Sequence, residues 1–564
     1  MRILLLTHSF NSLAQRVFVE LKARGHEVTV EFDINDAVTM EAVRLADPDL
    51  LIAPFLKRAI PEAVWRRLPC LVVHPGPRGD RGPAALDWAI LDGEREWGVT
   101  VLQAEAEMDA GPVWAWRTFP MRDAAKSSLY RSGVTEAAVA AVHEAVERFA
   151  SRRFLPVRPA VRAERPAARQ SDRAIDWGRD AAAAVLRKIR SADGTPGVKD
   201  TLFVRPVYVY DAHEAPGLTG APGAVVARSG PAVARATVDG AVWIGHMRDP
   251  AGSNPFKLPA TWVLAGALDG VPEVEIDGPQ GYREIRYEED GPVGLLHFDF
   301  YNGAMGTQAC RRLLAAYRRA LERPTRVIVL AGGAEFWSNG MNLNLIEAAA
   351  SPADESWRNI NAIDDMSEAI VRTKSHLTVA ALRGNAGAGG VFLARAADRV
   401  WLHEGVVLNP HYKDMGNLYG SELWSYLLPR RAGHEAAQRI LEARLPMGAS
   451  EARSLGLADE ILGTDRSDFL GRVVERAHAL AVEPAWGALV AEKRRARAAD
   501  EAEKPLSRYR AEELARLRLN FYGFDQSYHV ARSNFVRKVV KSRTPVTIAR
   551  HRDRRLQIGG RKAS

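Results

Sequence analysis

The sequence contains few cysteines and no long hydrophobic run. Its 564 residues include two cysteines, Cys70 and Cys310, which lie too far apart in the chain to suggest a disulfide framework. A reducing cytoplasm is therefore the compartment that we expect. No stretch approaches the roughly 18 consecutive apolar residues that a membrane-spanning helix needs. Residues 1–10 have a short apolar run without the longer core of a signal peptide, so they predict a first β-strand.

Two further absences exclude classes of ligand. No Cys-x-x-Cys or His-x-x-x-His pair is present, so we expect no bound metal. Residues 7–12, which follow the first predicted strand, include no glycine. A nicotinamide or nucleoside triphosphate site of the usual kind needs a glycine-rich loop there, because the backbone must approach the phosphates closely. The sequence therefore argues against both of those sites.

The positive charge of the chain is concentrated in two segments. The net charge is +8 and the pI is about 9.4, which suggests a nucleic-acid partner. Residues 151–173 hold seven arginines against two acidic residues, and residues 550–564 hold six basic residues against one acidic residue. Because the rest of the chain is nearly neutral, we interpret these segments as a solvated linker and a basic tail at 545–564, and nucleic-acid binding is not expected. A tail arginine that reaches an anionic cofactor phosphate is the alternative.

The length predicts three or four domains. Alternating strand and helix patterns predict a doubly wound parallel domain over residues 1–150. Short β runs between residues 202 and 246, divided by glycine and proline, predict a small β module of the OB type at 174–267. A new strand–helix–strand series predicts a further α/β domain with C-terminal helices at 290–544. The chain is therefore expected to be an α/β multidomain protein.

His74 and Asp109 are the first candidate catalytic residues. His74 follows an apolar run at 71–73, so we expect it at the carboxyl edge of a parallel sheet, where such folds place their sites. Asp109 begins a tight Asp-Ala-Gly turn further along the chain. An aspartate beside a histidine fixes the tautomer of the ring and stabilises the imidazolium, which suits proton transfer. The alternatives are a buried core histidine and an aspartate that only forms its turn.

The segments around these two residues resemble those of 10-formyltetrahydrofolate-dependent formyltransferases. The shared features are the His-Pro turn at 74–75, the Trp-Ala-Ile-Leu-Asp-Gly-Glu segment at 88–94, Gly-Val-Thr at 98–100 and Asp-Ala-Gly-Pro at 109–112. The resemblance implies a Rossmann-like, folate-binding domain over 1–150 and, at 174–267, the OB-like C-terminal module of the same family. It also implies that His74 and Asp109 move protons while formyl leaves 10-formyltetrahydrofolate.

Val72 departs from the pattern of that family. The family usually has asparagine two positions before this histidine. In comparable sites such a donor stabilises the developing oxyanion by about 3–4 kcal/mol. A backbone N–H of the glycine-rich loop at 76–82 is the candidate replacement, and the identity of the formyl acceptor is open.

Two glycine-rich segments, 331–343 and 384–390, each precede a predicted helix. Free backbone N–H groups at two helix starts, directed at one point, form an oxyanion hole. These segments, with 440–461 further on, resemble the enoyl-CoA hydratase/isomerase (crotonase) family over roughly 290–480. The resemblance implies that the N–H groups of Met341 and Gly389 polarise a coenzyme A thioester carbonyl. It also implies that coenzyme A is bound by the turn and glycine positions Asn302, Gly303, Ala304, Gly340 and Gly390.

The two glutamates of the hydratases are missing. The first falls at Phe392, which transfers no proton, and the second falls near Tyr412, so ordinary hydration is not expected. Tyr412 and Glu422 are the remaining candidates for proton transfer, because a tyrosine hydroxyl can donate a proton and a partly buried glutamate can act as a base. The alternatives are a packing role for Tyr412 and a solvated helix face for Glu422.

The combination of both modules resembles the hydrogenase maturation proteins of the HypX type over nearly the whole chain. This resemblance implies that formyl moves from 10-formyltetrahydrofolate to coenzyme A and that formyl-CoA is then decarbonylated. The carbon monoxide would become the iron ligand of a nickel–iron hydrogenase, with the hydrogenase maturation machinery as a partner. Two alternatives are an amine formyltransferase fused to a separate CoA-thioester enzyme, and a non-catalytic binding protein.

Overall fold

The computed structural model describes residues 1–553. The chain forms two compact units, each with its own sheets. Of the described residues, the N-terminal unit comprises 1–252, 259–274 and 540–553, and the C-terminal unit comprises 253–258 and 275–539. Among the described residues, no helix is long and apolar enough to cross a membrane.

A six-stranded sheet organises the first part of the N-terminal unit. Its strands lie in the order Glu27–Phe32, Arg2–Thr7, Leu50–Phe55, Cys70–His74, Glu96–Gln103 and Val113–Pro120. The first four are parallel and the last two are antiparallel to their neighbours. Buried apolar residues fill Arg2–Thr7 almost completely, as expected of a strand inside a parallel sheet with both faces covered. The predicted Rossmann-like domain is confirmed, and His74 ends its fourth strand.

The helices of this part begin with Ser12–Ala23, which Asn11 caps by accepting a hydrogen bond from the N–H of Ala14. The other helices are Asp36–Ala46, Glu62–Trp65, Ala85–Leu91, Lys126–Leu129 and Thr135–Ser151, with a π-helical turn at Tyr130–Val134. The last helix packs against both antiparallel strands of the sheet.

A second, antiparallel sheet forms the β module. Its strands lie in the order Val225–Ser229, Ala232–Ala236, Ala241–Arg248, Arg205–Glu214 and Val198–Leu202, with Leu258–Pro259 paired to the third of them. The helix Ala182–Ala192 packs on this sheet, and the short helix Ala260–Val263 follows it. The predicted small β module is therefore present.

The interpretation of residues 151–173 as a solvated linker is wrong for two of its arginines. Arg173 has 1% of its side chain exposed and contacts Asp87 at 3.1 Å. Arg165 contacts Asp80, whose side chain is 1% exposed, at 3.0 Å. A short parallel pair, Asp80–Arg81 with Ala163–Glu164, fixes the segment in register. The arginines are thus part of the domain, because buried carboxylates need cationic partners.

The interpretation of residues 545–564 as a solvated tail is wrong for the described residues 545–553. The N–H of Val30 in the edge strand donates to Ile548 O at 3.0 Å. Glu31 is fully buried and is contacted by His551 and Arg552, which ends the short 3-10 helix Arg550–Arg552. Arg552 thus binds a carboxylate of this unit, which argues against the cofactor alternative for this residue. The tail residues 554–564 lie outside the described part of the chain.

The C-terminal unit contains two sheets. The larger has the order Ile285–Asp290, Val293–Phe298, Val327–Ala331, Leu377–Leu382, Arg399–Leu402 and Glu460–Ile461, with one antiparallel pair followed by parallel pairs. The smaller has the order Phe336–Ser338, Asn385–Gly387, Val407–Asn409 and Met447–Gly448. The predicted α/β domain is therefore present.

Helices surround both sheets. Upstream of residue 400 they are Thr307–Ala320, Leu343–Ala348, Pro352–Arg372 and Gly389–Arg395, with a 3-10 turn at Tyr301–Gly303. Downstream they are Trp424–Ala432, His434–Ala443, Ala449–Ser454, Phe469–Leu480, Ala485–Glu503, Leu506–Tyr522 and Ser527–Val536. Ser351 caps Pro352–Arg372, and proline occupies its first turn, where no N–H donor is needed.

Candidate active sites

His74 lies between two carboxylates in the N-terminal unit. Its Nε2 is 3.1 Å from Asp80 Oδ2, and its Nδ1 is 3.5 Å from Asp109 Oδ1. The residue is 4% exposed. A Cβ at Gly76 would lie 2.4 Å from His74 Nε2 and 2.5 Å from Asp80 Oδ2, so the contact between His74 and Asp80 requires glycine at position 76. The structure therefore brings the predicted His74–Asp109 pair together and adds a second carboxylate.

Asp109 is held by its own turn. It has φ of 55°, in the left-handed region that aspartate tolerates better than most residues. The N–H of Gly82 donates to Asp109 Oδ2 at 3.1 Å. A Cβ at Gly111 would lie 1.8 Å from Gln103 O, so the turn can close only with glycine there. Asp109 thus forms the turn and also reaches His74.

Asp80 and Arg165 are components of the site that the sequence analysis did not identify. Arg165 Nε lies 3.0 Å from Asp80 Oδ1, and its guanidinium lies 5.2 Å from the centre of the Trp97 ring. Asp80 therefore links a cation on one side to His74 on the other. The His-Pro-Gly-x-x-Gly-Asp pattern was visible in the sequence, but nothing in it indicated that Asp80 turns back onto His74.

Val72 gives the site no polar side chain. It pairs with Ala53 and Leu102 in the sheet and packs at the edge of an apolar cluster. In the loop 76–82, proposed to replace the missing asparagine, the N–H of Gly82 donates to Asp109 and the N–H of Asp80 donates to Pro77 O. These two N–H groups are therefore engaged elsewhere, and an oxyanion donor has to come from another group.

The two glycine-rich turns meet in the C-terminal unit. They follow the neighbouring parallel strands Phe336–Ser338 and Asn385–Gly387, so both chains leave the small sheet at the same end. A Cβ at Gly340 would lie 3.7 Å from the N atom of Gly389. In residues 1–553, the N–H groups of Met341 and Gly389 have no hydrogen-bond acceptor in the protein. Two free N–H donors on neighbouring turns are what an oxyanion hole requires.

The turn at 302–304 is fastened to the first glycine turn. Asn339 donates from its N–H to Gly303 O at 2.7 Å and from Nδ2 to Asn302 O at 2.8 Å. Asn302 and Gly303 have φ of 55° and 67°, which bends the backbone sharply before Ala304. The sequence-predicted residues Asn302, Gly303, Ala304 and Gly340 therefore lie side by side.

The helix Gly389–Arg395 contributes packing as well as its first N–H. A Cβ at Gly390 would lie 2.1 Å from Ser338 O, so this glycine allows the helix to approach the strand. Phe392 is fully buried and its ring stacks on Tyr412, with centroids 5.5 Å apart and an angle of 17°. Phe392, which occupies the position of the missing hydratase glutamate, thus supports the ring of Tyr412.

Tyr412 and Glu422 form a buried hydrogen-bonded pair. The Tyr412 hydroxyl donates to Glu422 Oε2 at 2.7 Å, and the N–H of Ser421 donates to the same oxygen at 3.2 Å. A Cβ at Gly389 would lie 2.0 Å from Glu422 Oε1, so this oxygen presses against the oxyanion turn. Glu422 is 1% exposed, and the alternative of a solvated helix face is wrong.

Two further buried carboxyls, Asp364 and Glu513, lie behind this pair. Asp364 accepts from the N–H of Glu422 at 2.8 Å, and Glu513 accepts from the N–H of Leu423 at 3.0 Å. Burial and the charge of Asp364 raise the pKa of Glu422 to about 8 and that of Glu513 to about 8. Burial also raises the pKa of Asp364 to about 6, although Arg510 opposes the rise. Sequence reasoning missed both residues, because they lie on helices without a motif.

Family models match three parts of the chain. A model described as formyl transferase matches residues 2–146, and its C-terminal domain matches residues 168–259. A model described as enoyl-CoA hydratase/isomerase matches residues 302–518. The methionyl-tRNA formyltransferase of Thiobacillus denitrificans is 31% identical over 232 residues, which are 40% of this chain and 73% of that protein.

Two proteins are similar over almost the full length. The hydrogenase maturation factor HoxX of Bradyrhizobium diazoefficiens is 59% identical over 561 residues, 98% of each chain. The crystal structure of HypX from Aquifex aeolicus in complex with tetrahydrofolic acid is 49% identical, with a TM-score of 0.95, and covers 98% of this chain and 99% of that one.

Proposed function

We propose a two-step reaction for this chain, which belongs to the family of hydrogenase maturation factors that includes HoxX and HypX. In the first step, the formyl group moves from 10-formyltetrahydrofolate to the thiol of coenzyme A. In the second step, formyl-CoA is decarbonylated, and carbon monoxide and coenzyme A leave. The carbon monoxide then becomes the iron ligand of a nickel–iron hydrogenase, supplied in the cytoplasm to the hydrogenase maturation machinery.

The N-terminal site is suited to the first step. His74 takes the proton of the thiol, the thiolate attacks the formyl carbon, and the imidazolium returns the proton to the folate nitrogen as the carbon–nitrogen bond breaks. Asp80 and Asp109 face the two ring nitrogens, so they orient the ring and stabilise the imidazolium that forms. The folate donor is supported by the formyl transferase match and by the related HypX structure with tetrahydrofolic acid.

The C-terminal site is suited to the second step. Formyl-CoA has no α-carbon, which excludes the enolate chemistry of a crotonase. What remains is transfer of the formyl proton to the leaving sulfur, with the carbonyl oxygen held by the N–H groups of Met341 and Gly389. Glu422 and Tyr412 then move the proton. The observation that carries this assignment is the position of the Glu422 carboxyl. Its Oε1 lies against Gly389, and its Oε2 is hydrogen-bonded to Tyr412.

The turn beside this hole is our candidate site for coenzyme A. Gly303 and Gly340 have no side chain, and the bend at Asn302 brings the backbone of this turn beside the glycine turn that carries the oxyanion donors. We infer that the turn 302–304 and Gly340 hold the pantetheine arm of coenzyme A, so that its thioester reaches Met341 and Gly389.

Separate assays of the two half-reactions test this proposal. Synthetic formyl-CoA is supplied to the purified protein, and carbon monoxide is measured. We expect His74→Ala to keep this activity while losing formyl transfer from 10-formyltetrahydrofolate. We expect Glu422→Gln to show the reverse pattern and to accumulate formyl-CoA. Carbon monoxide formation that survives in Glu422→Gln, or that is lost in His74→Ala, would contradict the assignment.

A further inference from the structure

We propose that Asp364 and Glu513 are positioning residues, which hold Glu422 against Gly389 and keep it protonated before each turnover. The inference rests on the proposed role of Glu422 in decarbonylation. It assigns two residues outside the glycine turns, on the helices Pro352–Arg372 and Leu506–Tyr522, to the chemistry of that site.

The first argument is the backbone around Glu422. Glu422 and Leu423 have φ of 61° and 59°, so two consecutive residues with side chains occupy the left-handed region. This conformation costs free energy and persists only where the surroundings hold it. Asp364 accepts from the N–H of Glu422, while Glu513 accepts from the N–H groups of Leu423 and Ser425, at 3.0 and 2.8 Å. Both carboxyls therefore fix the turn that directs the Glu422 side chain.

The second argument is the balance of charge around Glu422. The ionisable groups that face it are Tyr412, Cys310, Asp364 and Glu513. Arg510 is a cation beside Asp364: its Nε lies 3.7 Å from Asp364 Oδ2, and it also binds Asp365 and Glu368. Arg510 favours an ionised Asp364, and that charge favours the neutral form of Glu422, in agreement with the raised pKa of Glu422.

The third argument is the location of the proton. The N–H of Ser421 donates to Glu422 Oε2, and the Tyr412 hydroxyl lies 2.7 Å from that oxygen and 2.9 Å from Ser421 O. Oε1 is the oxygen that faces Gly389 and the oxyanion turn. When the Tyr412 hydroxyl donates to Oε2, a protonated Glu422 carries its proton on Oε1, on the side where we place the thioester.

This arrangement gives a balanced reaction. Glu422 Oε1–H protonates the sulfur while the carbon–sulfur bond breaks, and the bonding pair stays on sulfur. The formyl carbon then loses its hydrogen as a proton to the Glu422 carboxylate, and the carbon–hydrogen pair becomes the lone pair of carbon monoxide. Glu422 is protonated again at the end, so no oxidant or reductant is required.

Infrared titration of the carboxyl stretch tests the charge argument without substrate. The spectrum of the unaltered protein, minus that of Glu422→Gln, should show a protonated carboxyl at neutral pH. In Asp364→Asn, this band should vanish at a pH about one unit lower than in the unaltered protein. Asp354→Asn is the matched control, because it removes an exposed carboxylate on the same helix that contacts Tyr522 and not Arg510. No band at neutral pH, or equal midpoints in Asp364→Asn and the unaltered protein, would overturn the charge argument.

Activity assays with formyl-CoA test the positioning argument. Asp364→Asn should shift the alkaline limb of the pH–rate profile to lower pH, by the same interval as the infrared band. Glu513→Gln should lower kcat at least 10-fold, because an amide can accept from only one of the two N–H groups. The control is Glu512→Gln, an exposed neighbour on the same helix. Full activity in Glu513→Gln would refute the positioning role, whereas no carbon monoxide from the unaltered protein would refute the proposed function instead.

Discussion

The contact between Gly389 and Glu422 allows a sharp prediction for Gly389→Ala. The added Cβ would lie 2.0 Å from Oε1 and 2.7 Å from Oε2, whereas ordinary van der Waals contact begins near 3.4 Å. The carboxyl therefore has to move by more than 1 Å, and Tyr412 and the strained turn resist that movement. Because a misplacement of about 1 Å can cost roughly 100-fold, we expect kcat for carbon monoxide formation from formyl-CoA to fall by about that factor.

The assay compares Gly389→Ala with Gly471→Ala at saturating formyl-CoA. Gly471 lies in the helix Phe469–Leu480 of the same unit, and a Cβ there meets no atom within 4 Å. The control should keep its activity, and both variants should still transfer formyl from 10-formyltetrahydrofolate to coenzyme A. A Gly389→Ala variant within twofold of the unaltered kcat would show that the position of Glu422 does not matter, which would refute the reasoning.

Three further predictions concern both units. Arg165→Met leaves the buried Asp80 without its cation. It should lower the free energy of unfolding, measured by urea titration, by about 3–5 kcal/mol, and a loss below about 1 kcal/mol would contradict a structural ion pair. Tyr412→Phe keeps the ring but removes the donor to Glu422, so kcat for carbon monoxide should fall at least about 100-fold, and an unchanged kcat would exclude this hydroxyl. Because the pKa of Glu422 is raised, its contribution to stability is present at acidic pH and is lost as the pH rises towards 8, by up to about 1.4 kcal/mol per pH unit. Urea titrations from pH 5 to 8 should therefore show a shallower decline in Glu422→Gln, and equal slopes would count against the raised pKa.

Much of the architecture follows from local patterns. The apolar run before His74 predicted a strand that ends at the site, and the structure has this strand at Cys70–His74. The two glycine segments predicted adjacent N–H donors, and parallel pairing of the preceding strands brings Met341 and Gly389 together. Local sequence also indicated Tyr412 and Glu422 as candidates, although their hydrogen bond depends on the left-handed turn before the helix that begins at Trp424.

The remaining components depend on contacts between distant parts of the chain. Arg165 binds Asp80, which lies 85 residues earlier in the chain. The segment around Arg165 has the composition of a linker, although this side chain is part of the site. Glu513 reaches the turn after Ser421 from about 90 residues away, on a helix without a recognisable motif. Composition and periodicity do not identify the partner of a buried charge. The pairing becomes apparent only once the fold is known.

The most direct test of the account is carbon monoxide formation by the purified protein given 10-formyltetrahydrofolate and coenzyme A, with haemoglobin as the trap. The account predicts carbon monoxide that requires both substrates and appears in proportion to the tetrahydrofolate released. Tetrahydrofolate release with stable formyl-CoA and no carbon monoxide would contradict the decarbonylation assigned to Glu422 and Tyr412. If neither substrate is consumed, the two-step reaction as a whole is wrong.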